Sequence, residues 1–146
     1  MDLEMQLVHT YADGSVGAIL GVLFDRVEGG DTDNSFLASL DFANATEEGF
    51  ELSNVDLKTF LDDLPKGDFW SYNGSRTTPP CTEGVKWTVL SGVQPISDAQ
   101  LKAFTDKHTG NYRAVQLLHD RIVYYASASA KALAAGVLAI TTMLAF

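Results

Sequence analysis

A mainly β domain with short helices in its connections, of the α+β class, is predicted by three patterns in this chain. Leu3 to Thr10 carries apolar residues at 3, 5 and 7 with Glu4 and Gln6 between them, the period of two that sends alternate side chains to opposite faces of a strand. Asp13-Gly14 is a turn signal, and it leads into the apolar run Gly17 to Phe24, which has strand length. The helical patterns between the strands are short, and the clearest is Ser97-Asp98-Ala99-Gln100, a capping-box sequence.

Taken in order, Leu3–Thr10 and Gly17–Phe24 form an antiparallel pair across the Asp13-Gly14 turn. Glu28 to Asn34 is an acidic, glycine-containing loop. Ser35 to Phe42 reads as a short helix with Phe36, Leu37 and Leu40 on one side, and Asn44 to Phe50 as loop. Val55 to Leu64 has apolar residues at 57, 60, 61 and 64, which fits a helix ending before Pro65. Phe69–Tyr72 and Val85–Leu90 are strands flanking a loop. The capping box opens a helix through Phe104, Asn111–Leu118 is extended, and Arg121–Tyr125 is the last strand. No linker interrupts this series, so residues 1–125 form one unit and 126–146 a tail.

Composition excludes several classes. The 146 residues are 46% hydrophobic and 20% charged, enough to bury a core and unlike a disordered chain. The formal net charge of −9 and pI of about 4.5 repel phosphates, so nucleic acid is not an expected partner. The single cysteine, Cys81, excludes a disulfide within the chain and leaves two readings, a small buried thiol or half of a bridge to a partner elsewhere. No charged and then apolar leader precedes Leu3. From Ala132 to Phe146 the chain is almost wholly apolar after Lys131; at about fifteen residues this falls short of the roughly 20 that span a bilayer. With the small residues Ala126 to Ala130 before it, the tail is expected to be a glycosylphosphatidylinositol (GPI) attachment signal or an apolar anchor, against the simpler reading of an apolar terminal helix.

Asp68 to Trp87 is the most informative stretch. Aromatic alternation in Phe69-Trp70-Ser71-Tyr72 gives way to Asn73-Gly74-Ser75-Arg76-Thr77-Thr78-Pro79-Pro80-Cys81 and then to a strand bearing Trp87. Two prolines after two hydroxyls make a rigid loop that holds Thr77 and Thr78 at a fixed point. On residues alone this is a turn. In sequence it resembles the strand-loop-strand segment of α-class carbonic anhydrases. Other blocks match that family in the same order: Glu4-Met5-Gln6-Leu7-Val8-His9, Ile19-Leu20-Gly21-Val22, Pro95-Ile96-Ser97, and Asn111-Tyr112-Arg113 with Gln116. The resemblance covers nearly all of residues 3–125. It implies the C-terminal portion of a twisted, largely antiparallel carbonic anhydrase-type sheet.

The resemblance also implies roles. Thr77 matches the hydroxyl that orients a zinc-bound hydroxide, and Thr78 the neighbour that contacts bicarbonate. Val8, Ile19 and Trp87 match the apolar wall that holds CO2, and Glu4 the carboxylate that hydrogen-bonds the third zinc histidine. At that third ligand position stands Gln6, a weak zinc donor beside imidazole. The family's other two zinc histidines form a His-x-His pair upstream, and this chain has no such pair. The proton-shuttle histidine and the acid that orients the first threonine belong to the same upstream part. His9 matches a structural histidine, and His9, His108 and His119 lack the spacing of a zinc set. Arg76 stands where the family has an apolar residue.

Two functional expectations follow. In the first, the chain is the C-terminal part of a secreted, surface-anchored enzyme that hydrates CO2 reversibly through zinc, is inactive alone and binds no zinc itself. In the second, Gln6 marks a catalytically silent, carbonic anhydrase-related binding module. The family commonly pairs a cysteine at the position of Cys81 with one near the N-terminus, which implies a partner outside this chain. The sequons Asn44-Ala45-Thr46 and Asn73-Gly74-Ser75 fit a secreted glycoprotein, although Asn73 is expected in a tight loop. Together with the tail they suggest a truncated chain of a cell-surface protein, beginning at an internal methionine.

Overall fold

The structure is a computed structural model and describes residues 1–26, 31–40, 52, 55–64, 67–108, 110–127 and 144–145. Its strands are β1 (Leu3–Thr10), β2 (Val16–Asp25), β3 (Asp68–Ser75), β4 (Glu83–Leu90), β5 (Gln94–Pro95), β6 (Tyr124–Ser127) and β7 (Leu144–Ala145). Among the described residues three short helices accompany them, α1 (Ser35–Ser39), α2 (Leu57–Asp63) and α3 (Asp98–Thr105). The strands form one sheet in the order β6-β3-β4-β2-β1-β7, with β5 pairing β2. Contacts are antiparallel except those of β2 with β4 and β5. The expected fold class is therefore observed, and the predicted hairpin forms, with Gly14 in the turn at φ 81°.

The β1–β2 register sorts side chains by face. Leu3 opposes Phe24, Met5 opposes Val22 and Leu7 opposes Leu20; these lie on the face that the helices cover. Glu4 opposes Leu23, Gln6 opposes Gly21 and Val8 opposes Ile19 on the other face. The helix-side core collects Leu3, Met5, Leu7, Val22 and Phe24 with Leu37, Leu40, Phe60, Leu64, Ile96 and Phe104. Phe36 stacks on Phe60 with ring centroids 3.9 Å apart, which ties α1 to α2. A smaller core of Val8, Ile19, Val85 and Trp87 sits on the opposite face.

Each helix begins on a side-chain cap. The Asn34 side chain accepts from the Leu37 N–H at 3.1 Å and the Asp56 side chain from the Thr59 N–H at 2.9 Å. The Ser97–Gln100 capping box is complete, as the pattern predicts. Gln100 also exchanges two bonds of 2.8 Å with the Asn34 backbone, joining the start of α3 to the start of α1.

Several boundaries differ from expectation. The third and fourth strands are longer than the apolar runs, because backbone pairing continues to Ser75 and Glu83 beyond the apolar residues. β5 was not anticipated, since two residues carry no period. The last strand is Tyr124–Ser127 rather than Arg121–Tyr125 and pairs with β3 from Asp68 to Ser71. It thus runs past residue 125, where the tail was expected to start. Tyr125 and Ser127 hydroxyls both donate to the Asp68 carboxylate, which fixes that register. Asn111–Leu118 joins no ladder and is exposed, with Val115 99% and Tyr112 84% accessible. Asn73 lies on β3 with its side chain exposed, not in a tight loop. The loop expected at Asn44–Phe50, the Asn44 sequon and most of the tail lie outside the described residues.

Substituting Ser97→Ala removes both the cap on Gln100 N–H and the bond to Asp33. It should lower unfolding stability by about 1–2 kcal/mol, read from the urea midpoint. An unchanged midpoint would show that the α3 cap contributes nothing.

Candidate functional site

Four strands, β1 to β4, and the β3–β4 loop build the site. On β1, Glu4, Gln6 and Val8 share a face because strand side chains alternate. The β3–β4 loop reaches the same face from the other side of β2 and β4. Its ends are closed by Arg76 N–H donating to Thr82 O and Cys81 N–H donating to Thr78 O, both at 2.9 Å. Pro79–Pro80 is cis, and Cys81 takes a left-handed conformation at φ 57°. The Trp87 indole N–H donates to Ser75 O at 3.0 Å, so the loop is anchored to the aromatic residue beneath it.

The loop meets the strand through Gln6. The Thr77 hydroxyl donates to Gln6 Oε1 at 3.1 Å across 71 residues of sequence. Gln6 Nε2 donates to Glu4 Oε1 at 2.9 Å. Gln6 is only 8% exposed, and an amide buried there has both of its ends satisfied. Gly21 lies opposite; a Cβ there would stand 3.4 Å from Val89 Cγ2 and 3.6 Å from Glu4 Oε1. These are ordinary van der Waals separations, so a small side chain there would sit in contact with the Glu4 carboxylate.

The apolar side of the site is the Val8, Ile19, Val85 and Trp87 cluster, with Tyr72 and Val89 packed against it. Ile19 pairs with Trp87 in the β2–β4 ladder and Tyr72 with Trp87 in the β3–β4 ladder. The Tyr72 and Trp87 rings are nearly parallel, at 2° and 6.0 Å. Gly74 permits this: a Cβ there would come within 3.0 Å of both Trp87 Cδ1 and Tyr72 Cε2. Burial holds the Tyr72 hydroxyl pKa above its usual value. The Glu4 charge adds to that rise, and Arg121 opposes it.

The residues expected to act together are thus brought together: Glu4, Gln6 and Thr77 in one hydrogen-bonded chain, Val8, Ile19 and Trp87 in one apolar cluster. Thr78 is exposed on the loop, and the Arg76 Nη2 donates to its hydroxyl at 3.2 Å. Sequence reasoning did not place Arg113 at the site. Its Nη1 donates to Ser75 Oγ at 2.7 Å and to Arg76 O at 3.3 Å, a contact over 38 residues that no local pattern announces. Val85 was missed for a simpler reason, being one apolar strand residue among many.

This donor set does not make a zinc site. It offers a neutral amide oxygen, an alcohol and one carboxylate, without imidazole or thiolate, and the amide oxygen is already an acceptor for Thr77. Among the described residues no group of three or more His, Cys, Asp or Glu side chains could hold a metal ion. His108 stacks instead on Phe104, with centroids 5.0 Å apart.

Comparison with known proteins fits this architecture. Residues 2–127 match the family model of eukaryotic-type carbonic anhydrase, and the chain belongs to that family. It is 34% identical over 131 residues to alpha carbonic anhydrase 3 of Arabidopsis thaliana, with 84% of this chain aligned and 45% of the relative. Among solved structures it superposes on the Photobacterium profundum alpha-carbonic anhydrase with a TM-score of 0.67 and 31% identity, covering 82% of this chain and 54% of that one. Dioscorin, crystallised in complex with ascorbate, gives a TM-score of 0.62 at 28% identity, covering 84% and 52%. The chain spans about half the length of the relatives it matches.

Because the folded-state pKa of Tyr72 lies above the ordinary 10.0, the stability gained by keeping it neutral is complete below about pH 10 and is lost as pH rises through the raised value. In absorbance titration at 295 nm, Tyr72→Phe should delete a late-ionising component from the five tyrosines. Glu4→Gln should move that component to lower pH. No movement would separate Glu4 electrostatically from Tyr72.

Proposed function

We propose that this chain supplies the hydroxyl-bearing loop and apolar wall of a carbonic anhydrase whose complete domain hydrates CO2 reversibly. The observation that carries the reading is the Thr77 hydroxyl seated on the side chain of Gln6. Its proton is committed there, so its lone pairs are left to accept a hydrogen bond from a reacting hydroxide or water. Val8, Ile19 and Trp87 offer a dry surface against which an uncharged, linear CO2 would rest. Two zinc histidines would come from polypeptide equivalent to the part of the relatives outside the match, with Gln6 at the third ligand position by resemblance, and this chain alone would be inactive.

A second reading has support in the same geometry. Gln6 stands at the third ligand position with both ends of its amide bonded, an arrangement that suits a silent binding module. The dioscorin–ascorbate complex shows one protein of this fold in complex with an organic molecule. Residues 1–125 would then serve as the back of a recognition surface.

The purified chain should show no zinc-dependent CO2 hydration above buffer in stopped-flow assays. A chimera carrying the unmatched front part of the Photobacterium profundum enzyme should hydrate CO2, and Thr77→Val in it should lower kcat/KM by about 10²-fold. A zinc-loaded chimera that stays inactive, yet gains activity with Gln6→His, would favour the silent module. Robust hydration by the unfused chain with stoichiometric zinc would overturn both readings.

We also propose secretory routing, with Cys81 bridged to a cysteine outside this chain and the tail serving as a GPI signal or apolar anchor. Exposure of Asn73 supports the glycoprotein part. Expressed behind a leader in eukaryotic cells, the chain should lose mass on N-glycosidase treatment, less so as Asn73→Gln. An absent shift in the parent chain would sink this routing.

A further inference from the structure

We propose that residues 111–125, with the outer edge of β6, form a seam that receives polypeptide equivalent to the unmatched part of the relatives, through a face that is apolar and bears carboxylates. The inference deepens the reading above and rests on it for the identity of that polypeptide.

The strip is tied to the rim of the sheet at both ends. Arg113 Nη1 donates to Ser75 Oγ at 2.7 Å, at the end of β3. Tyr124 and Tyr125 pair with Ser71 and Trp70 in the β3–β6 ladder, and the Tyr125 ring tilts on that of Trp70 with centroids 5.8 Å apart. Between these ties the Arg121 N–H donates to Leu118 O at 3.0 Å, and the Arg121 charge acts on Tyr72 of β3. The strip therefore follows β3 from Ser75 to Ser71. β6 ends the sheet on this side, and among the described residues its outward N–H and C=O groups meet no further strand. Such an edge accepts a partner backbone.

Apolar side chains face outward along the strip. Tyr112, Val115, Leu117, Leu118, Ile122 and Tyr124 are 56–99% exposed. At roughly 150–250 Å² for a large side chain, they offer on the order of 800 Å², about the share one partner gives to a stable interface. The largest apolar patch of a monomer is about 300–600 Å².

The occupant follows from length and charge. The strip lies within residues 2–127, which match the family, and the relatives carry about as much polypeptide again outside the match. Whether that polypeptide is continuous with this chain leaves the surface the same. Arg113 and Arg121 stand in the strip against one acid, Asp120, while the chain as a whole carries −9. A second copy laid strip to strip would set arginines against arginines, which disfavours pairing. A covering face with carboxylates would meet them.

Hydrogen–deuterium exchange, read by mass spectrometry, compares the full unfused chain with the chimera carrying the front part of the Photobacterium profundum enzyme. Amides of 111–125 should exchange fast in the unfused chain and at least tenfold more slowly in the chimera, with β1 and β2 protected in both. Val115→Asp with Leu117→Asp should restore fast exchange to the strip of the chimera and leave the melt of the unfused chain unchanged. Should that chimera not fold, Ile122→Ser alone should raise the exchange of its strip. Equal rates in chain and chimera, a chimera without a cooperative melt, or variants that leave the strip protected would overturn the proposal. So would a strip already protected in the unfused chain, whether by a concentration-dependent dimer or by phosphatidylcholine vesicles. A hydrating chimera with an unprotected strip would remove the seam and spare the CO2 reading, and an inactive chimera with a protected strip would do the reverse.

Discussion

Everything at this site depends on the register of β1 against β2. Strand side chains alternate, so a slip by one residue would exchange the faces completely. Glu4 and Gln6 would then point into the core now filled by Met5, Leu7, Val22 and Phe24, and those apolar residues would face the loop. A carboxylate placed there without partners carries a penalty of several kcal/mol. The hydrophobic packing of the helix side is thus what aims the polar side chains at Thr77.

Given that register, Gln6 becomes the joint between strand and loop. An amide is a donor at one end and an acceptor at the other, and here each end meets a group of the opposite kind: Glu4 accepts and Thr77 donates. The chain of contacts is satisfied without any charge other than that of Glu4. No buried side-chain nitrogen or oxygen among the described residues lacks a partner. A histidine at the same position could bond Glu4 through one nitrogen and keep the other for a metal. Glutamine instead closes the chain on itself, which is why the position reads as a structural joint within this polypeptide.

The sequence made the strands legible where one face is buried and the other polar. Leu3–Thr10 shows this at its start, where Leu3 and Met5 enter the helix-side core and Glu4 between them is only partly buried, whereas further along Gln6 and Val8 are buried on the other face as well. The Ser97 capping box was equally readable, because its chemistry is local. Boundaries failed where pairing outlasts the apolar pattern, as at Ser75, and where the partner sets the register, as at Tyr124–Ser127 with Asp68. The contacts of Arg113 with Ser75 and of Thr77 with Gln6 span 38 and 71 residues. No window of sequence contains both members, and only the resemblance to a known family had placed Thr77 near Gln6. Arg113 had no such pointer as a site residue.

The two faces of the sheet also differ in what they can tolerate. Among the described residues, eleven buried ones form the helix-side core and four the site-side cluster, so most of the apolar burial described there lies away from Gln6, Thr77 and Arg76. Stability is not uniform across such a sheet, and the thinly packed face is the one whose residues can change with least effect on folding. An arginine at 76 illustrates the point. It stands on the β3–β4 loop, partly exposed and bonded to Thr78, and it is a member of neither apolar cluster. The chemistry of the site is therefore free to vary on a scaffold whose fold is secured from the opposite side.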